Sequence, residues 1–175
     1  MSLVETMVGA MAMVLVVGGV MVFAFYTARS FAAMSNYVDL DSKSRNTLDR
    51  MTSEIRQADK LTAATTNSLA FQTTDPTSGA VHTLNYSYNA DAKTVTRTYD
   101  GVTSVLLTEC TFWTNALCQR NATNATFGSA FAAVPTSQPN ECKVIQLTWI
   151  CSRSILGKMA NTESVQSAHV VIRKK

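Results

Sequence analysis

The sequence predicts an α+β protein in which one long N-terminal helix packs on an antiparallel, β-rich head. Three observations carry this. Residues 6–28 form an uninterrupted uncharged run. Apolar residues then recur at steps of three and four, with no proline anywhere in residues 1–60. After Leu61 the texture changes to short Thr- and Ser-rich alternating segments separated by turn residues. The chain divides accordingly into an apolar helix over 1–28, an amphipathic continuation over 29–61 and a head over 62–175. At 175 residues it has room for one modest head on one stalk.

In the first element, MSLVETMVGAMAMVLVVGGVMVFAFYTA, Glu5 is the only charged side chain, and the next is Arg29. As a helix, residues 6–28 would be roughly 35 Å long, enough to cross about 30 Å of hydrocarbon. A secretory signal peptide would carry basic residues before its apolar run; this chain carries an acid. A carboxylate one turn inside such a helix costs on the order of 2.5 to 3.5 kcal/mol on insertion scales, and it normally has a partner or marks a function. The nearest cation is the amine of Met1. It belongs to the same helix end, so the geometry favours pairing between neighbouring molecules, which would make the charge an assembly device. Gly18-Gly19 is the second irregularity, because each interior glycine costs about 0.8 to 1 kcal/mol relative to alanine. Close helix packing and a built-in point of unwinding both explain the pair.

The second element carries Phe31, Met34 and Val38, then Leu48, Met51, Ile55 and Ala58, interleaved with Asp39, Asp41, Lys43, Arg45, Asp49, Arg50, Glu54 and Arg56. This is an amphipathic helix whose Leu48/Met51/Ile55 stripe is expected to face the head as plain core packing. In the head, SLAFQT at 68–73, VHTLNYSY at 81–88 and TVTRTY at 94–99 read as strands of a meander. Asp75-Pro76-Thr77-Ser78-Gly79, Asn89-Ala90-Asp91 and Asp100-Gly101 supply the turns. A longer strand is expected at 102–113, then a polar excursion over 114–141, then strands at 142–151 and 164–173. The helix gives this sheet a surface on which to bury one face.

Cys110, Cys118, Cys142 and Cys151 are even in number, confined to the C-terminal half and nowhere spaced C-x-x-C. That speaks against zinc or a thioredoxin-like site and for two disulfides in an exported head. Three pairings are possible. If 105–113 and 143–151 run antiparallel, Cys110 with Cys151 and Cys118 with Cys142 fit one register, give or take a bulge. Two local loops, Cys110 with Cys118 and Cys142 with Cys151, remain the alternative.

Met1-Ser2-Leu3-Val4-Glu5, followed by Thr6 and an apolar helix, resembles the mature start of type IV pilins and pseudopilins, which usually read Phe-Thr/Ser-Leu-Val/Ile-Glu. Met1 departs from the common Phe. The match is specific over this short stretch; beyond about residue 30 the likeness is one of architecture. The resemblance implies a chain processed by a prepilin peptidase, with an N-methylated Met1 and with Glu5 opposite the amine of the adjacent subunit. It further implies a homo-oligomeric helical filament built by pilus assembly machinery. The subunit would wait in a bacterial inner membrane and end in an extracellular filament. In that family the helix often melts beside a proline near position 22, where this chain has Val22.

Little else suggests chemistry. His82 and His169 are the only histidines, each inside a strand pattern and without acids close in sequence; both read as surface or edge-strand residues. No phosphate loop, H-E-x-x-H or G-x-S-x-G occurs, so no catalytic, cofactor or metal site is expected. A net charge of +3 gives no electrostatic case for nucleic acid. The excursion contains Asn121-Ala-Thr123 and Asn124-Ala-Thr126, and Asn85-Tyr-Ser87 adds a third formal sequon; a sugar-bearing surface and an undecorated polar loop both fit. Three functions follow: a pilus-like filament subunit, a minor pseudopilin of a type II secretion system, or a membrane-anchored surface binding module.

Overall fold

The computed structural model describes residues 3–120, 131–154 and 162–172. Helix α1, Leu3–Gln57, runs unbroken through Gly18 and Gly19. It ends four residues short of the expected limit at 61. The Ala58 amide still donates back to the Glu54 and Ile55 carbonyls, but the Asp59 amide already bonds the Gln72 carbonyl. The KLTAAT segment therefore becomes strand β1, Lys60–Thr65, although Lys, Leu and Ala are good helix formers. A vacant sheet edge outweighs that weak preference.

Strand β1 opens an antiparallel meander with β2 (Ser68–Thr74), β3 (Val81–Asn89), β4 (Thr94–Tyr99) and β5 (Val102–Leu107), in spatial order β1-β2-β3-β4-β5. The β4–β5 connection is the two-residue turn Asp100–Gly101, both at positive φ (46° and 84°), as a tight hairpin of matching twist requires.

The single strand expected over 102–113 is two strands in two sheets. The break falls at Thr108 and Glu109, where Glu109 adopts φ 60°. Its carbonyl accepts from Ser152 and its carboxylate from Arg153. Part of the expected polar excursion is also strand. β6 runs Cys110–Arg120 and pairs with the short β7, Phe131–Ala133; a 3₁₀ turn at Pro139–Glu141 follows. β8 (Val144–Ser152) and β9 (Glu163–Val171) complete a second antiparallel sheet, in order β7-β6-β8-β9. The sequons at Asn121 and Asn124 and residues 173–175 lie outside the described residues.

The C-terminal half of α1 joins the two sheets. Its buried residues Leu40, Ser44, Thr47, Met51 and Ile55 fall at helical spacing on one face. They share one core with Leu69, Phe71, Tyr86 and Val95 of the first sheet and Ile145, Leu147, Trp149 and Val170 of the second. Leu48, expected on this stripe, is only half-buried at its margin. Burying side chains of this size stabilises by about 1.5–3 kcal/mol each.

Candidate functional site

The helix changes character within one turn. Val38 is 56 % exposed and Leu40 2 %. Toward the N-terminus the large apolar side chains stand open: Val4, Met11, Leu15, Phe23, Phe25, Phe31 and Met34 are all more than half exposed. Toward the C-terminus the head covers the helix. Among the described residues this is the one helix long and apolar enough to cross a membrane.

Even its hydroxyls suit an apolar medium. Thr6 donates to the Leu3 carbonyl at 2.9 Å and Thr27 to the Phe23 carbonyl at 2.8 Å, so neither needs water. Glu5 stands exposed in the first turn among these side chains. The Met1 amine, its expected counter-charge, lies outside the described residues. A Cβ added at Gly18 or Gly19 would meet nothing within 4 Å, so packing inside this chain does not require either glycine.

At the boundary the head grips the helix through charges. Arg153 donates to both Glu109 oxygens (2.6–3.0 Å), to Asn36 Oδ1 (3.0 Å) and to Asp39 (3.3 Å). This guanidinium holds the Glu109 carboxyl below its ordinary range. Asp41 accepts from Ser164 and Gln166 on β9. Four turns further on, Glu54 accepts from Tyr86 and Arg97 of the first sheet and from Arg50 of its own helix. Burial works against the charged Glu54, yet hydrogen bonds from Arg97, Tyr86 and Arg50 outweigh it and leave the carboxyl below its ordinary value. Burial, followed by the bond to Glu54, pushes the Tyr86 phenol up.

Cys110 and Cys118 lie on β6 and Cys151 on β8, while Cys142 follows the 3₁₀ turn two residues before β8. Cys110 lies directly opposite Cys151, and a bulge between Cys110 and Phe112 shifts the rest of the ladder by one. Cys118 therefore faces Val144, and the ladder does not itself bring Cys142 across from Cys118.

A polar cleft of about 800 Å³ lies between the last turns of α1 (Asp49, Ser53, Arg56) and the β2–β3 loop, with His82 and Tyr99 on its wall. His82 Nδ1 bonds the Asp100 carboxylate, whose other oxygen accepts from the Thr83 amide; that amide first, then His82, lowers the Asp100 carboxyl. The acid that the sequence did not place near His82 thus comes from the Asp100–Gly101 turn, delivered by the β3–β4 register. Among the described residues, no hydrogen bond links a serine or cysteine to this histidine. Among the described residues no three His, Cys, Asp or Glu side chains group to hold a metal ion. His169 stands exposed on edge strand β9.

Comparison with protein-family models, with curated proteins and with solved structures returns no match.

Proposed function

We propose that this chain is the structural subunit of a type IV pilus-like filament, a pilin whose exposed helix half forms the filament core with copies of itself. The observation that carries the reading is the length of the apolar surface. From Leu3 to Val38 large apolar side chains stay exposed, a stretch of roughly 54 Å at about 1.5 Å per residue. A bilayer offers about 30 Å of hydrocarbon, or about 40–45 Å with its headgroups. Lipid accounts for one part of this surface; burial against neighbouring helices accounts for all of it. The opening Leu3-Val4-Glu5-Thr6 adds specific support.

In this reading a prepilin peptidase exposes and methylates Met1, the subunit waits in the inner membrane, and the assembly machinery extracts it into an extracellular filament. Glu5 pairs with the Met1 amine of a neighbour and sets axial register, since a misaligned subunit would bury a charge without its counterpart. Gly18-Gly19 gives the helix a place to stretch as subunits pack.

The test is N-terminal and intact mass spectrometry on filaments sheared from native cells. Abundant protein beginning at an N-methylated Met1 supports the main-subunit reading. Scarce protein with the same N-terminus points to a minor pseudopilin at a fibre tip. Glu5→Ala and Glu5→Leu should stay membrane-inserted and yield few fibres; a normal yield would defeat the register role. The cleft beside His82 favours a second reading, a membrane-anchored binding module, which an unmethylated N-terminus and a monomer in detergent would support.

A further inference from the structure

We infer that the polar cleft between the end of α1 and the β2–β3 loop is a binding site for a neutral oligosaccharide, recognised by Asp49, Arg56, Asp59 and His82. The inference goes beyond the filament reading and does not rest on it, because every lining residue lies between Asp49 and Tyr99, clear of the exposed helix half. The cleft's volume of about 800 Å³ lies within the roughly 300–1,000 Å³ of small-molecule sites.

The walls are held by the chain's own bonds. Asp75 in the loop accepts from the Thr77 amide and the Ser78 hydroxyl, both at 2.8 Å, and its own amide donates to the Ala80 carbonyl at 2.9 Å. The Thr73 hydroxyl donates to the Gln57 carbonyl at 3.4 Å, which ties β2 to the last turn of α1. On the facing wall the Tyr99 ring stacks on His82 with centroids 5.5 Å apart, and the Arg97 guanidinium lies 4.9 Å from the Tyr99 centroid. The Asp100 carboxylate, which only accepts, holds a proton on His82 Nδ1 and leaves Nε2 as the free ring nitrogen. Walls fixed in this way need little further ordering on binding.

The lining selects a ligand by what each class would leave unmatched. Pro76 is the one lining side chain without a polar group, so an apolar ligand would bury polar groups without partners. Three carboxylates, Asp49, Asp59 and Asp75, stand against one guanidinium, Arg56, and repel an anion. Among the described residues no three ligating side chains gather for a metal ion. Asp75 is engaged by its own loop, whereas no hydrogen bond or ion pair within the described residues engages the side chains of Asp49, Asp59 or Arg56. An ammonium would satisfy the carboxylates and leave Arg56 unmatched. Sugar hydroxyls do both, since each donates to a carboxylate or to His82 Nε2 and accepts from the guanidinium. Asp49 and Arg56 lie seven residues apart on one face of α1, roughly 10 Å along the axis, so the ligand that meets both is a run of linked rings.

The test applies the full chain, in a detergent without a sugar headgroup, to an array of immobilised neutral, acidic and cationic oligosaccharides. Neutral members should retain it. Competition should release it, by the free oligosaccharide if the ligand is a soluble sugar and only by a polymer of the same repeat if it is a surface glycan. Asp49→Ala and Arg56→Ala, both at exposed helix positions, should each weaken retention about tenfold or more and leave the unfolding curve of the head unmoved. Val105→Ala, exposed on β5 and outside the cleft, should change neither. Preference for acidic or cationic members, retention indifferent to the Asp49 and Arg56 variants, or no retention by any neutral member would overturn the inference. The N-terminus decides between filament and anchor and glycan capture decides the cleft, so either reading can fail alone.

Discussion

The two halves of α1 share one backbone and answer opposite demands. Over residues 6–28 the side chains are uncharged on every face, and from Leu3 to Val38 the large apolar ones stand exposed. Over 40–57 they are apolar on one stripe, which the head covers, and charged on the remainder. A helix that is apolar all round has to be buried in something, whereas an amphipathic one needs a single partner surface. The second half has its partner surface in the same molecule, whereas the large apolar side chains of the first half stay exposed among the described residues. Under the proposed filament reading, the contrast gives folding to one half and association to the other.

The sharpest way to break this division is to truncate one aliphatic side chain to alanine in each half. Ile55→Ala, at a site 0 % exposed, should cost the head about 2–5 kcal/mol in urea unfolding followed by the fluorescence of Trp113 and Trp149. Val16→Ala, 65 % exposed, should leave that curve unmoved. If both variants shift it alike, the halves do not divide the work.

A smaller effect concerns pH. The hydrogen bonds from Arg97, Tyr86 and Arg50 depress the Glu54 carboxyl in the folded state. Its contribution is therefore fully present above the ordinary value of 4.5 and is lost as pH falls through the lower folded value. Unfolding scans should show a Tm that holds from about pH 7 to about pH 5 and declines below about 4.5. Glu54→Gln should flatten part of that decline; an unchanged slope would mean that the contact is not felt.

The smallest effect belongs to the glycines. Gly18→Ala and Gly19→Ala meet no obstruction and should add about 0.8–1 kcal/mol each of local helix preference while leaving head stability unchanged. Fewer filaments from the double variant would support unwinding at this point, and an undiminished yield would reduce the pair to ordinary membrane-helix composition.

Much of the division was legible in the sequence. The uncharged run and the 3.6-residue period specify a helix because side-chain periodicity is a local property, and the Asp100-Gly101 turn was visible for the same reason. What stayed hidden depends on distant pairing. The conversion of Lys60–Thr65 to strand follows from the free edge of β2. The break at Glu109 depends on Arg153, and the acid beside His82 comes from a turn eighteen residues away. The cysteine register was half legible: a single antiparallel register, give or take a bulge, puts Cys110 across from Cys151, but the position of the bulge that sets Cys118 against Val144 has no local signature.

The central claim is that copies of this chain cover the exposed helix half. It is tested most directly by placing a photo-cross-linking amino acid at Met34, just outside the grip of the head, and irradiating sheared surface material from cells. The account predicts a dimer adduct that maps to residues 3–38 of a second copy. Adducts to lipid alone, with the chain remaining monomeric, would contradict it.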